Sequence, residues 1–247
     1  MGGSLANAEA CHNRRVELVF SDEHYVAFDK PSGVVVHRQP GDREERPALQ
    51  RARDHVRQHV YPIHRLDRSA SGVLVFGRTP DAARRLAEAF AARTIDKRYV
   101  AVARGTIAER GTVDYPIRAD RDAPLKSAVS DFVRLGQAEL DEPVPPHPTA
   151  RYSLVALRPR TGRTHQLRRH MAHLRHPIVG DVRHGDGRHN RVFRARLGSH
   201  RLLLWATRLA FVHPYTGEAI RIEAAPADGE VLTALGWPSH PDVDALG

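Results

Sequence analysis

Alternating apolar and polar positions along the chain predict a series of short β-strands. Residues 16–20 and 25–28 alternate as half-buried strands do, and residues 34–37 resume the same extended pattern. The uninterrupted apolar run within residues 72–77 is typical of a strand that is buried on both faces. Residues 97–102 alternate again, so the first hundred residues are expected to supply several strands to one sheet.

Helical spacing of apolar residues is confined to a few stretches. Residues 46–60 and 166–174 carry apolar side chains three or four positions apart, and Thr79-Pro80 is typical of a capped helix start. Residues 202–212 and 219–222 predict a hairpin closed by a short turn. Because strands outnumber helices and hairpin turns join them, we expect an α+β fold with a mixed, largely antiparallel central sheet flanked by helices.

The same pattern predicts a single folded domain. Residues 1–14 are small and polar and are expected to form a flexible N-terminal tail, while residues 15–225 form the domain. The proline-rich segment 141–149 is expected to be a loop within it, because the strand pattern resumes at residues 152–157. Residues 226–247 are expected to form a C-terminal tail with one short helix.

The charge balance favours a polyanionic partner. The 247 residues include 38 Lys and Arg against 29 Asp and Glu, for a formal net charge of +9. Most of the cations are arginines, which bind phosphate with two parallel hydrogen bonds and stack on bases, so RNA or DNA is the favoured partner. An anionic membrane is the main alternative, and a basic protein without a nucleic-acid partner is another.

Several function classes lack their sequence signals. No apolar stretch approaches the roughly 20 residues that span a bilayer, so no membrane partner is expected. The lone Cys11 excludes a disulfide framework and favours a reduced, cytoplasmic setting. The chain also has no phosphate-binding loop, dinucleotide fingerprint or serine nucleophile elbow, so no nucleotide cofactor is expected.

Asp67 is the first candidate for chemistry. It lies between Arg65 and Arg68, whose positive charges favour the ionised carboxylate. The buried strand at residues 72–77 follows directly, and loops fixed by rigid strands are where sites are commonly found. The alternative is a surface ion pair without a catalytic role.

Two further side chains are candidates, each with a structural alternative. Arg168 lies on the basic helix predicted at residues 166–174, where it either faces a site or belongs to a solvated helix face. Tyr99 follows Lys97-Arg98 on a predicted strand, where it either contacts a base or fills the core. Four histidines occur between residues 165 and 176, but they fall on several helix faces and no metal-binding motif is present, so no metal is expected.

Taken together, these motifs resemble those of the RluA-type pseudouridine synthases. The resemblance runs in order through about residues 16–224. It is carried by six segments: Lys30-Pro31-Ser32-Gly33 through His37, His64-Arg65-Leu66-Asp67-Arg68 with Ser71-Gly72, Lys97-Arg98-Tyr99, residues 161–170, residues 176–181 and residues 213–218.

The resemblance implies a single pseudouridine synthase catalytic domain that modifies RNA as a monomer without cofactor or metal. Asp67 would be the catalytic residue, Arg168 its ion-pair partner, and Tyr99 the residue at the base. Arg65 would fill the space that the extruded uridine leaves in the RNA. The implied substrate-binding side chains are His64, Arg65, Arg68, Lys97, Arg163, His165, Gln166 and Arg169.

Within this family, residues 167–177 and 183–191 most resemble the branch that modifies uridine 65 of tRNA. A uridine of ribosomal RNA is the alternative substrate. Two alternatives differ in activity: a non-catalytic protein for RNA binding or ribosome assembly, and an N-glycosylase that releases the base. Trp205 replaces a histidine common in the family, and we expect this to alter packing near the hairpin and not the chemistry.

Overall fold

A mixed sheet organises the protein, which is described here by a computed structural model covering residues 16–38, 46–120 and 122–247. The predicted tail 1–14 and Cys11 lie outside the described residues. The strands are β1 (Glu17–Ser21), β2 (Tyr25–Lys30), β3 (Tyr61–Pro62), β4 (Ser71–Gly77), β5 (Asp96–Arg104), β6 (Arg110–Asp114), β7 (Val129–Leu140), β8 (Ala150–Pro159), β9 (Leu204–Val212) and β10 (Ala219–Glu223). The helices are α1 (Ala48–Val56), α2 (Pro80–Ala91), α3 (Gln166–His173), α4 (Gly187–Leu197) and α5 (Gly229–Ala234), with a final 3₁₀ turn at Asp244–Leu246.

The strands form one ten-stranded sheet in the order β1-β2-β4-β9-β5-β8-β7-β6, with β3 added to β4 and β10 to β9. Among the described strands, β4 and β9 pair in parallel and the other pairs are antiparallel. The prediction of an α+β fold with a mixed, largely antiparallel sheet is therefore confirmed. None of the described helices is long and apolar enough to cross a membrane.

The junction between β4 and β9 determines where the loop before β4 lies. Gly72 pairs with Ala206 there, at a φ of +114°. A Cβ atom on Gly72 would lie 2.2 Å from the carbonyl oxygen of Ala206, so only glycine permits this close approach. All seven residues of β4 are buried, which fixes the strand firmly. Asp67, four residues before β4, is thereby placed at the centre of the sheet.

The core occupies both faces of the sheet, as the alternation of residues in β5 and β8 requires. On one face, Ala101, Ala103 and Val155 pack beneath Leu167 and Met171 of α3. The opposite face packs against α4, α5 and the segment that follows α5. The residues of α3 that are not in the core are therefore directed toward the loop before β4 and toward solvent.

The C-terminal segment 226–247 contains the predicted short helix, but the segment packs onto the sheet as part of the fold. Leu232 and Trp237 are buried in the core. Trp205, also buried, donates its indole N–H to Oδ2 of Asp228 at 3.0 Å. Asp244 forms an ion pair with Arg208 of β9. Trp205 thus connects β9 to the C-terminal segment, in keeping with an effect on packing.

Two local predictions were wrong for identifiable reasons. Residues 34–37 form no strand, because the carbonyl groups of Val35 and Val36 accept hydrogen bonds from Ala48 and Leu49 at the start of α1. The helix predicted at residues 46–60 is shorter, since Arg57 adopts a left-handed conformation (φ 53°) that ends it. The predicted start of α2 is confirmed, with Thr79 accepting a hydrogen bond from the backbone of Ala82.

Candidate active site

A cavity of about 230 Å³ lies between the loop before β4, the start of β5, the end of β8 and the start of α3. The three predicted catalytic residues, Asp67, Arg168 and Tyr99, line it together. Of the predicted substrate-binding residues, six also line it: His64, Arg65, Lys97, Arg163, His165 and Gln166. Arg68 and Arg169 lie outside its lining.

Asp67 and Arg168, 101 positions apart in the sequence, meet in this cavity. Nη1 of Arg168 donates to Oδ2 of Asp67 at 3.1 Å. The other two nitrogens of the guanidinium, Nε and Nη2, donate to the two oxygens of Asp181 at 2.7 and 2.8 Å. One arginine therefore joins a carboxylate at the cavity to a second carboxylate beneath it.

The two carboxylates differ sharply in their surroundings. The side chain of Asp181 is 0% exposed, whereas that of Asp67 is 22% exposed. Asp181 also accepts hydrogen bonds from the backbone N–H groups of Arg183 and His184, both at 2.9 Å. Burial alone would raise the pKa of Asp181, but the hydrogen bonds from Arg168 and these backbone groups outweigh it, so that its pKa lies below the ordinary value. Asp181 is thus a fixed anion that holds Arg168 in place.

Oδ1 of Asp67 makes no hydrogen bond within the described part of the chain, while Oδ2 is held by Arg168. An oxygen without a protein partner, on a carboxylate whose other oxygen is fixed, is placed to act on a bound molecule. Asp67 is also the only carboxylate among the described residues that line the cavity. The site therefore offers one acid, not the pair that glycosidases normally use to hydrolyse a glycosidic bond.

A buried lysine fixes the loop that carries Asp67. The side chain of Lys30 is fully buried, and its Nζ donates to the carbonyl oxygens of Val34 and Ala70 at 2.9 and 2.7 Å. It also lies 3.3 Å from the carbonyl oxygen of Arg68. Because a buried ammonium requires several acceptors, this arrangement ties residues 68–70 to the end of β2. Lys30 therefore fixes the part of the loop that directly follows Asp67.

A pair of histidines borders Asp67. Nε2 of His165 lies 4.0 Å from Oδ2 of Asp67, and its Nδ1 lies 3.1 Å from Nε2 of His184. His165 adopts a left-handed conformation (φ 55°) directly before α3. Burial is the largest influence on both imidazoles and lowers the pKa of each, which favours the neutral rings. The pair therefore adds hydrogen-bonding groups beside Asp67 without adding fixed charge at neutral pH.

Tyr99 and His64 form the apolar wall of the cavity. Burial, followed by the nearby charge of Asp67, raises the pKa of Tyr99, so that its hydroxyl stays protonated. His64 accepts a hydrogen bond from the backbone N–H of Val75 at its Nε2 (3.0 Å) and stacks on Phe90 with ring centres 4.8 Å apart. Burial and Lys97 lower the pKa of His64 to about 3, so the ring is neutral and serves the packing of the wall.

The remaining predicted binding residues fall into two groups. Gln166 is buried and its amide is engaged by the protein, accepting from Thr161 Oγ1 at 2.7 Å and donating to the carbonyl of Val129 at 2.9 Å. Arg65, in contrast, is exposed and has no hydrogen bond or ion pair among the described residues. Gln166 therefore shapes the cavity, whereas Arg65 is available to a partner; direct contact of either with a substrate stays a prediction.

Arg163 and the two residues outside the cavity bind backbone carbonyl groups nearby. Arg163 donates to Ser127 at 3.2 Å, Arg68 to Gly33 at 3.0 Å, and Arg169 to Arg118 at 2.6 Å. Each guanidinium is thus anchored to the backbone of a nearby loop, and direct contact of these arginines with a substrate stays a prediction. In the described part of the chain, no group of three or more His, Cys, Asp or Glu side chains could hold a metal ion.

Asp181, Lys30 and His184 were missed as site residues by the sequence analysis. Lys30 and Asp181 belong to segments that carry the family resemblance, but nothing local to either segment indicates a contact with Asp67, Arg168 or the loop between them. The one available signal was an acid at Gly180-Asp181 directly after the apolar pair Ile178-Val179. A buried acid in so basic a chain requires a cationic partner.

Comparisons with known proteins show which family the chain belongs to. The family model described as RNA pseudouridylate synthase matches residues 24–173. Proteins named tRNA pseudouridine synthase C are 43% identical in Vibrio parahaemolyticus and 46% identical in Yersinia pestis, over 90% of this chain and 96% and 91% of theirs. In fold, the chain is similar to the solved structure of human RNA pseudouridylate synthase domain containing 1, with a TM-score of 0.70 and 24% identity over 92% of this chain and 89% of the other. The chain that places Asp67, Arg168 and Tyr99 in one cavity therefore belongs to the RNA pseudouridylate synthases, isomerases that act on RNA.

Proposed function

We propose that this pseudouridine synthase modifies uridine 65 of tRNA and that Asp67 is its catalytic carboxylate. The observation that carries the assignment of Asp67 is its position: it supplies the single carboxylate among the described cavity residues and is held by Arg168 at 3.1 Å. A single carboxylate suits an isomerisation, in which the base stays in the cavity and no water must be activated.

The reaction balances without a cofactor. The bond between C1′ of the ribose and N1 of uracil breaks, the uracil turns, and a bond between C1′ and C5 forms. The proton at C5 is then lost and N1 gains one, so substrate and product are isomers. Asp67 acts on the sugar, either as nucleophile at C1′ or as base at C2′. Its unpartnered Oδ1 is the oxygen available for this step.

The other site residues have supporting roles in this proposal. Arg168 keeps Asp67 ionised and oriented, and Tyr99 contacts the uracil. The target base must leave its stack, which costs a few kcal/mol. Arg65, exposed at the mouth of the cavity, offsets part of that cost by occupying the space that the base leaves. The basic side chains at positions 68, 97, 163 and 169 then bind the surrounding phosphates.

The proposal of tRNA as the substrate is supported by the names of the relatives that match about 90% of this chain. The net charge of +9 suits any RNA and does not by itself select tRNA. A tRNA substrate supports a cytoplasmic location.

Release of tritium from RNA labelled at C5 of uridine tests the proposal. Wild-type protein is expected to release tritium from a tRNA transcript and not from ribosomal RNA. Asp67→Asn is nearly isosteric, so it is expected to bind the tRNA with wild-type affinity while its kcat falls about 100-fold or more. A tRNA transcript in which position 65 is cytidine provides the matched substrate control.

Each alternative gives a different result in the same assay. Tritium release from ribosomal RNA alone would overturn the tRNA substrate but keep the activity. Free uracil among the products would indicate an N-glycosylase. Binding of tRNA without turnover by the wild type would indicate a non-catalytic protein, and substantial turnover by Asp67→Asn would remove Asp67 from its proposed role.

A further inference from the structure

We propose that a second cavity, at the opposite end of α3 from Asp67, binds the phosphate backbone of the substrate RNA. This inference rests on the proposed function in taking RNA as the ligand. The cavity measures about 430 Å³, larger than the one around Asp67. It is formed by the end of β5, the start of β8, the residues after α3, the start of α4 and the proline-rich loop 141–149.

The two cavities are far enough apart to contact different nucleotides. Tyr99 lines the first cavity and Arg104 lines the second, and both lie on β5. Five residues of extended strand correspond to about 17 Å. A group bound in the second cavity is therefore not the uridine held at Asp67 but another part of the same molecule.

The lining of the second cavity is strongly cationic. It contains four arginines and three histidines and no carboxylate among the described residues. Asp186 lies behind the lining and pairs with both Arg104 and Arg188, at 2.7 and 3.0 Å. One carboxylate shared by two guanidiniums leaves a surplus of positive charge, so Asp186 orients these arginines without neutralising the cavity. A surplus of oriented guanidinium groups is the usual arrangement for binding phosphate.

The other two arginines have donors to spare. Arg175 is exposed and its side chain has no hydrogen bond or ion pair within the described ranges. Arg151 pairs with Glu139 at 3.5 Å, but both side chains are more than half exposed (62% and 51%), which makes this a weak contact. His176 binds the carbonyl of Arg104 through Nδ1 at 2.8 Å, so the proton is on that nitrogen. Arg151 and Arg175 therefore offer a phosphate several donors that the fold does not use, while His176 is held at the edge of the cavity by its bond to β5.

The side of α3 that faces solvent links the second cavity to the site at Asp67. Arg169 and His173 are four residues apart on α3, which places them on one side of the helix, and His176 follows the end of the helix and lines the second cavity. His173 is exposed and the other two are half-exposed. A backbone that leaves the mouth of the first cavity can therefore follow basic groups to the second. This continuity favours RNA over a small free anion as the occupant.

The double substitution Arg151→Gln with Arg175→Gln tests the inference. Both residues line the second cavity and neither holds another part of the fold through a strong contact. Glutamine suits the left-handed backbone of Arg175 (φ 62°) as well as arginine does, so the loop is expected to keep its conformation. The matched control is Arg110→Gln with Arg194→Gln, which removes the same charge from exposed positions that line neither cavity.

The measurement is the affinity for a fluorescent tRNA transcript over a series of salt concentrations, together with KM and kcat for tritium release. We expect the double variant to bind about 10-fold or more weakly at low salt. Its salt dependence, d log K/d log[salt], should become shallower by about one to two, because one or two phosphate contacts are lost. KM should rise in parallel while kcat at saturating tRNA changes less than twofold. The control pair should stay within twofold of wild type.

Other outcomes would overturn the inference. Equal losses in the double variant and the control pair would mean that net charge alone matters. An unchanged affinity for tRNA, combined with inorganic phosphate that raises the Tm of the wild type and not of the double variant, would assign the cavity to a small anion. Because binding is measured apart from turnover, a wild-type protein that binds tRNA but releases no tritium would contradict the proposed function and leave this test of the second cavity intact.

Discussion

The contrast between Asp181 and Asp67 leads to a sharp prediction for stability. Both carboxylates bind the same arginine, Arg168, but Asp181 is 0% exposed and Asp67 is 22% exposed. Asp181 holds two of the guanidinium nitrogens and Asp67 holds one. The same substitution, aspartate to asparagine, therefore removes a buried partner in one variant and a partly solvated partner in the other.

Asp181→Asn is expected to destabilise the protein by about 3–5 kcal/mol, the usual cost of leaving one member of a buried ion pair uncompensated. If the amide oxygen of the variant takes the place of Oδ1 and keeps the backbone N–H groups of Arg183 and His184, its NH2 lies against the donor Nε of Arg168. Asp67→Asn keeps an oxygen that can accept from Arg168, and Asp181 still compensates the charge of Arg168. The expected destabilisation is therefore only about 1 kcal/mol. A loss of 3–5 kcal/mol is a large part of the 5–15 kcal/mol typical of a folded protein.

Urea unfolding of the wild type and the two variants at pH 7 measures the difference. The depressed pKa of Asp181 adds a second criterion, since its stabilisation is present above its ordinary value of 3.8 and is lost as the pH falls through its lower value in the folded state. The difference in the free energy of unfolding between the wild type and Asp181→Asn should thus be largest near neutral pH and should decrease in acid. Equal destabilisation by the two substitutions, or a loss below about 1 kcal/mol for Asp181→Asn, would refute this account of the site.

Two further substitutions test the surrounding fold. Burial and, to a lesser degree, Glu17 raise the pKa of Asp29 to about 6, and its Oδ1 has no hydrogen-bond partner in the described part of the chain. The folded state is therefore penalised as the pH rises from about 4 to 6, and Asp29→Asn should stabilise the protein by about 2–3 kcal/mol at pH 8 and by nothing measurable at pH 3.5 in urea unfolding; an equal effect at both pH values would contradict the assignment. Trp205→Phe removes the 3.0 Å hydrogen bond to Asp228 and replaces a buried indole by a smaller phenyl ring, so a loss of about 2–4 kcal/mol is expected in the same assay, and an unchanged midpoint would show that Trp205 does not hold the C-terminal segment.

The sequence predicted those elements whose signals are local. The apolar run of β4, the capped start of α2 and the hairpin of β9 and β10 each follow from neighbouring residues. The helix α4 was not predicted, because its sequence Gly187–Leu197 carries four arginines in eleven residues and its apolar side is narrow. Residues 34–37 have the composition of a strand, but tertiary contacts gave their carbonyl groups to α1. The fold class could therefore be predicted from the sequence, whereas the secondary structure of individual segments depended on their tertiary contacts.

The site divides in the same way. The local sequence indicated Asp67, as an acid among arginines, and Tyr99, as an aromatic residue beside basic ones. Only the family resemblance placed both in one site with Arg168. The contacts of Lys30 with the carbonyl groups of residues 68–70 span 38 to 40 positions. Such contacts depend on how β2 and β4 pair, and no spacing rule along the chain reports them.

The geometry of Arg168 explains why an arginine, and not simply a positive charge, occupies this position. A guanidinium is planar, so fixing Nε and Nη2 on the two oxygens of Asp181 also fixes the direction of Nη1. Nη1 then restricts where Oδ2 of Asp67 can lie, and with it the position of Oδ1, the oxygen that we propose acts on the substrate. A lysine would supply the same charge from a single nitrogen and could not transmit an orientation from one acid to the other. The buried acid Asp181 therefore orients the partly buried acid Asp67 through Arg168, although Asp181 itself does not line the cavity.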